Sequence, residues 1–204
     1  MAKVLQLISQ IMFLTLFIIF MIIGKVQLWM VIFIAGIIIA LFFGRFYCGW
    51  ICPINTVMKI VAKLKERFSI KSFNSPSFLT KSFVRYIVLL LFLIIFIFVM
   101  FTGKRLPVLP FLFTFGIVIS VFYSESLWHR YICPYGTILS IAGSKSKHYL
   151  KINTDNCISC GICKKVCPAL AIDKNDAYSI NKSFCLLCLE CTRKCPKNTI
   201  HYNI

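Results

Sequence analysis

The stretch Cys157-Ile158-Ser159-Cys160-Gly161-Ile162-Cys163-Lys164-Lys165-Val166-Cys167-Pro168 returns 28 residues later as Cys185-Leu186-Leu187-Cys188-Leu189-Glu190-Cys191-Thr192-Arg193-Lys194-Cys195-Pro196. Both copies read Cys-x2-Cys-x2-Cys-x3-Cys-Pro. The same offset pairs Ile152 with Ile180, Asn153 with Asn181 and Ile172 with Ile200. A fixed offset of this size marks a duplicated structural unit. The spacing carries the chemistry. An iron–sulfur cube needs four thiolates directed at four irons; three on a tight loop take three corners, and the fourth, past a turn that the proline helps to set, reaches the other cube. The expected ligand sets are therefore Cys157, Cys160, Cys163 and Cys195 for one [4Fe-4S] cluster, and Cys185, Cys188, Cys191 and Cys167 for a second. Structural zinc favours two CxxC pairs with a long spacer, which is not this pattern. Over residues 149–204 few apolar side chains can form a core, so bound clusters would supply much of the folding energy.

This tail resembles the bacterial ferredoxin with two four-iron clusters, at every ligand position. The resemblance implies a small α+β domain at 149–204.

Outside the tail lie only Cys48, Cys52 and Cys133, for a total of 11. An odd number at such spacing is not a secreted disulfide framework. The chain of 204 residues is 59% hydrophobic and 14% charged, against about 45–50% and about 25% for soluble domains. Disorder, a coiled coil and an ordinary soluble enzyme are excluded. Four apolar stretches, 4–24, 26–44, 84–102 and 106–123, approach the roughly 20 residues that cross a bilayer. The expectation is an all-α transmembrane four-helix region within a membrane domain at 1–148. The first stretch is too long for a signal peptide, and Ile22-Ile23-Gly24-Lys25 is no small-residue cleavage site.

Lys and Arg number 23 against 6 Asp and Glu, a net charge of +17. The loop 45–85 carries Arg45, Lys59, Lys63, Lys65, Arg67, Lys71, Lys81 and Arg85, whereas the opposite turns carry Lys25 and Lys104-Arg105. Basic loops stay in the cytoplasm, which predicts a multi-pass inner-membrane protein with both termini and the cysteine module on the cytoplasmic side. Nucleic acid is not an expected partner, because the basic residues flank spans or sit among cysteines rather than on one face. Membrane lipid and an acidic protein are. Ile54–Phe68 is amphipathic, suited to the headgroup layer or to packing against the cysteine module. The spans hold no Asp, Glu or Lys, and His129, His148 and His201 lie outside them. Ion transport and b-type haem are therefore excluded. Trp29, Tyr47, Trp50, Tyr86, Trp128 and Tyr131 are expected in the interfacial belt, where some could line a quinone pocket.

A second repeat joins the ends of spans two and four. Tyr47-Cys48-Gly49-Trp50-Ile51-Cys52-Pro53 aligns, at an offset of 81, with Trp128-His129-Arg130-Tyr131-Ile132-Cys133-Pro134. If the halves converge, Cys48, Cys52, His129 and Cys133 form a metal or third iron–sulfur site. A Cys48–Cys52 redox couple and inert thiols at helix caps are the alternatives.

Four spans, paired Cys-x3-Cys-Pro-type motifs and the ferredoxin tail resemble the NapH/MauN-type membrane ferredoxins, most specifically at Gly44-Arg45-Phe46-Tyr47-Cys48-Gly49-Trp50-Ile51-Cys52-Pro53. His129 stands where that family's second motif starts with cysteine. The resemblance implies one-electron transfer between quinol or a partner subunit and a redox partner, within a larger oxidoreductase system. The chain shows no flavin or nicotinamide fingerprint and no catalytic residues of its own. An assembly or metal-handling factor that reduces copper for a respiratory enzyme is the alternative, since soft thiolates suit Cu(I). A structural anchor that recruits other subunits is the third.

Overall fold

A computed structural model describes residues 2–102 and 108–203. Lys104 and Arg105, and Leu106 and Pro107 at the head of the fourth expected span, lie outside the described residues. The uninterrupted aliphatic and aromatic runs form helices α1 (Ala2–Ile22), α2 (Trp29–Phe43), α5 (Val84–Thr102) and α6 (Val108–Phe122). Their outer faces leave large apolar side chains exposed, among them Ile8, Ile34, Ile87 and Phe111. Such continuous apolar surface is what a lipid phase covers. Ala2–Ile22 and Val26–Phe43 are long and apolar enough to cross a membrane; Val84–Val99 and Val108–Phe122 are shorter apolar stretches.

The link between the first two helices closes with Gly24 at φ 74°, where Gly24 N–H bonds to Met21 C=O and Lys25 N–H to Phe20 C=O. This is the Schellman pattern, and its left-handed residue favours glycine. A short 3-10 turn, Val26–Leu28, then leads into α2.

Both membrane-edge motifs fold alike. After α2 come α3 (Phe46–Trp50) and α4 (Pro53–Arg67); after α6 come α7 (Glu125–Leu127), a π-turn (Trp128–Ile132) and α8 (Pro134–Gly143). In each motif the Cys-Pro pair starts a helix. Cys52 and Cys133 are extended N-caps, and Pro53 and Pro134 take the first helical position, where a missing N–H costs nothing.

Trp29, Tyr47 and Trp128 are not belt residues. They are 2%, 4% and 1% exposed, and Trp29 Nε1 donates to Tyr47 Oη at 2.7 Å. Glycine explains this. A Cβ on Gly36 of α2 would lie 2.8 Å from the Tyr47 ring, and one on Gly116 of α6 would lie 2.9 Å from the Trp128 ring. Each repeat thus spares a side chain in its second long helix to admit the aromatic residue that opens its own motif.

The tail consists of β1 (Tyr149–Ile152), α9 (Ile162–Lys165), β2 (Ile172–Lys174), β3 (Tyr178–Ile180), α10 (Glu190–Lys194) and β4 (Ile200–Asn203). β1 pairs antiparallel with β4, placing Ile152 opposite Ile200; β2 pairs with β3, placing Ile172 opposite Ile180. Each unit of the duplication therefore completes the other's two-stranded sheet. Ala169, Leu186 and Cys188 of the tail share one buried cluster with Phe17, Trp29, Phe33, Tyr47 and Cys48. The tail and the membrane-edge motif are packed as one core.

Candidate metal centres

The two cysteine loops share an unusual backbone. Ser159, Gly161 and Leu170 have φ of 52°, 73° and 48°; their equivalents 28 residues on, Leu187, Leu189 and Asn198, have 52°, 60° and 49°. Left-handed φ at leucine is strained and persists only where the surroundings demand it. The loops are anchored alike: Asn153 Oδ1 accepts from Asp155 N–H at 3.0 Å, and Asn181 Oδ1 from Ser183 N–H at 3.1 Å. These Asx turns explain why asparagine recurs at both places.

The loops bring the cysteines into two quartets. Cys157, Cys160, Cys163 and Cys195 line one small cavity together with Tyr178. Cys167, Cys185, Cys188 and Cys191 line another, walled by Leu150, Ile172 and Leu186. Cys160 is exposed, whereas Cys188 and Cys191 are buried. Burial, reinforced by the neighbouring thiols, pushes Cys191 up to about 12. Burial pushes Cys188 up to about 11 against the pull of the Glu190 N–H and Lys59. The buried Cys188 and Cys191 thiols hold their protons unless positive charge joins them, which is what thiolate-ligated iron provides. Among the described residues no three His, Cys, Asp or Glu side chains stand close enough to share one metal ion. Four cysteines around one apolar cavity are the donor set of a four-iron cluster.

At the membrane edge the structure brings three thiols into mutual electrostatic reach. Burial raises Cys52, and Cys48 and Cys133 raise it further; burial pushes Cys133 up to about 12, with Cys48 adding to it. A small cavity opens on Cys52 and Cys133, lined also by Phe17, Phe33, Tyr47 and Tyr135. His129 is 6% exposed and its Nε2 has no hydrogen-bond partner. Its charged neighbours are Arg45 and Lys59; together with burial, which dominates, they hold it down to about 3.

The first edge motif grips the loop of the second quartet. Gly49 meets it with no side chain: a Cβ there would lie 2.2 Å from Leu186 C=O. Trp50 Nε1 donates to Leu187 C=O at 3.1 Å, and Arg45 Nη1 to Phe184 C=O at 3.4 Å. Gln6 and Gln10 of α1 donate to Gly49 C=O at 2.9 and 2.7 Å, and Arg193 of α10 donates to Gln6 Oε1 at 3.1 Å. These glutamines sit four apart on one helix face; that spacing in an otherwise apolar helix was the signal that they serve a partner. Arg45, Arg85 and Arg130 converge here as well, although topology alone accounts for them in the sequence. Lys59, on the polar face of α4, is half-buried near Cys188, and burial lowers its pKa.

Comparison with known proteins adds the family. A family described as a 4Fe-4S binding domain matches residues 26–71 and 105–153, the stretches that hold the two edge motifs. A second 4Fe-4S binding domain matches 150–173. The chain is 29% identical over 163 residues to the ferredoxin-type protein NapH of Haemophilus influenzae, covering 66% of this chain and 53% of that one. It is 28% identical over 146 residues to the methylamine utilization ferredoxin-type protein MauN of Methylobacillus flagellatus, covering 63% and 50%. An uncharacterized protein of Methanocaldococcus jannaschii is 27% identical over 141 residues, covering 66% and 56%. The chain spans about half the length of these relatives. No solved structure matches it. With 4Fe-4S binding domains, two apolar N-terminal helices that associate it with a membrane, and these relatives, the chain is similar to the NapH/MauN-type ferredoxin proteins.

Proposed function

We propose that the chain is a membrane-anchored electron carrier with a four-span membrane domain at 1–148 and a cytoplasmic ferredoxin domain at 149–204. Cys157, Cys160, Cys163 and Cys195 hold one [4Fe-4S] cluster, and Cys185, Cys188, Cys191 and Cys167 hold the other. Bound there, such clusters supply reversible one-electron chemistry. The observation that carries this reading is the packing of the inner cysteine loop, 184–188, onto the first membrane-edge motif through Arg45, Gly49 and Trp50. An inner quartet fixed against the membrane helices faces the donor, and the outer quartet, with Cys160 exposed, faces a soluble redox partner.

The edge residues Cys48, Cys52, His129 and Cys133 extend the relay toward the bilayer. Three observations support a third cluster there. Cys48, Cys52 and Cys133 lie within electrostatic reach of one another, Cys52 and Cys133 open on one apolar cavity, and the His129 Nε2 is buried without a partner. An open apolar groove of about 720 Å³ between α5 and α6 runs to Ile132 and Pro134, which flank Cys133 in sequence. It supports an isoprenoid quinol as the donor.

Iron, acid-labile sulfide and copper per chain on anaerobically purified protein test the proposal. About eight irons with equal sulfide fit two clusters, and about twelve add the third. Fewer than eight, or stoichiometric copper at the edge thiols, would refute it in favour of metal handling.

A further inference from the structure

The most unusual electrostatic feature of the chain is a group of arginines without acids. Arg45 is 1% exposed and Arg85 is 7% exposed, and each has a buried Nε with no hydrogen-bond partner. Arg45 Nη2 lies 3.7 Å from Cys48 Sγ and 3.5 Å from His129 C=O, while its Nη1 donates to Phe184 C=O. The Arg85 and Arg130 guanidinium groups lie 4.9 and 4.5 Å from the centroid of the Phe184 ring. Arg130 also donates to Leu170 C=O. Phe184 directly precedes Cys185, and Leu170 N–H bonds to Cys167 C=O. All three cations therefore address the two loops that carry the inner quartet.

Among the described residues Arg193–Glu190 is the sole ion pair. Glu66, Glu125, Asp155, Asp173, Asp176 and Glu190 are all the acids of the chain, and none pairs with Arg45, Arg85 or Arg130. Burying the uncompensated charges of Arg45 and Arg85 is costly, so a net anion belongs beside them, and the half-buried Arg130 adds positive charge on the same side. Four thiolates around a four-iron group carry net negative charge, and reduction adds one more. Nearby cations favour that added electron, most strongly when buried, whereas burial alone disfavours it. Beside the outer quartet, Lys164, Lys165 and Lys197 are exposed and screened by water.

Resting on the two-cluster reading above, we infer that Arg45, Arg85 and Arg130 are the built-in counter-charge of the inner quartet, and that they raise its reduction potential so that it accepts the electron arriving from the membrane side.

Redox titration of the full chain, followed by electron paramagnetic resonance, tests this, with Cys160→Ser marking the outer signal. In Arg85→Gln and Arg130→Gln the inner signal should move to lower potential by at least tenfold in reduction constant, 59 mV for one electron. Arg85→Lys and Arg130→Lys should recover most of the shift, and Lys151→Gln, exposed on β1, should leave the signal in place. An unmoved inner signal in both glutamine variants at full iron load would overturn the inference. Where a glutamine variant loads no inner iron, its lysine partner decides: loading with lysine supports the counter-charge, and failure with lysine overturns it. A wild-type chain with no inner signal would instead refute the two-cluster reading beneath it.

Discussion

Gly49→Ala isolates the contact between the first edge motif and the inner cysteine loop. Gly49 lies inside α3, so its backbone is helical, and alanine by itself should favour the helix by about 1 kcal/mol. The new Cβ, however, would sit 2.2 Å from Leu186 C=O and 3.1 Å from both Leu187 C and Leu187 O. Ordinary contact begins near 3.4 Å, so the loop must retreat by about 1.2 Å. All three neighbours are backbone, so no side chain can swing away. Overpacking of this kind costs about 1–3 kcal/mol. The retreat also stretches the Trp50 Nε1–Leu187 C=O bond of 3.1 Å, worth about 1 kcal/mol. After the helix gain, a loss of about 1–3 kcal/mol remains, focused on the inner quartet. Gly24→Ala is the control. Its φ is 74° with nothing within 4 Å of the added Cβ, so it carries only the left-handed penalty, about 1 kcal/mol, far from any cysteine. The assay is the temperature at which cluster absorbance is lost in detergent, with iron counted before heating. Gly49→Ala should lose inner iron first and melt below Gly24→Ala. Equal melting of Gly49→Ala and wild type, at equal iron, would refute the docking of the cysteine loop on the edge motif.

Cys160→Ser, at the exposed corner of the outer quartet, should leave about four fewer irons per chain while the inner signal survives; iron analysis with spectroscopy checks this. Burial pushes the Glu125 carboxyl up to about 7 from 4.5, opposed by Lys59 and Lys65. With the folded value above the unfolded one, its contribution is complete below about 4.5 and lost as pH rises through about 7. Glu125→Gln should therefore make the chain more stable at pH 8 by at most about 3 kcal/mol, with no gain at pH 4.5, as read from denaturant midpoints in detergent. Cys52→Ser and Cys133→Ser should each lower iron from about twelve to about eight without disturbing either quartet signal. An unchanged iron count would reduce these thiols to helix caps.

The cysteine quartets were legible because ligand spacing is a local code, written within eleven residues of each loop. What spacing does not reveal is the exchange of strands. Ile152 pairs with Ile200 and Ile172 with Ile180, and a repeat alone is equally consistent with two self-contained units. The buried positions of Trp29, Tyr47 and Trp128 were not legible either. Aromatic residues at span ends usually sit in the interface, and here Gly36 and Gly116, unremarkable in the sequence, leave the space that draws Tyr47 and Trp128 inward. The amphipathic period of α4 left its surroundings open between the headgroup layer and the cysteine module. A helix period assigns faces, but it cannot tell which neighbour the polar face meets, and here Lys59 lies near Cys188 and Glu190.

The two membrane repeats are most informative where they stop matching. Gly49 of the first motif corresponds to Arg130 of the second, and Cys48 to His129. A symmetric pair of motifs would meet the ferredoxin tail twice in the same way, but the tail offers different loops to each. Gly49 vacates the space that Leu186 C=O occupies, while Arg130 reaches out to Leu170 C=O and stacks on Phe184. The divergence is complementary, since a bulkier residue at 49 would push the loop away and a smaller one at 130 would release it. Arg45 ties the halves together, with its guanidinium against Cys48 of one repeat and the His129 carbonyl of the other. It also lies where a Cβ on Gly136 would meet Nη2 at 2.6 Å. The absence of a side chain at Gly136 leaves room for a cation of the first repeat to cross into the second. The departures from symmetry place positive charge and close packing on the same side of the tail, the side of the inner quartet, and that asymmetry gives two chemically equivalent cysteine loops different surroundings.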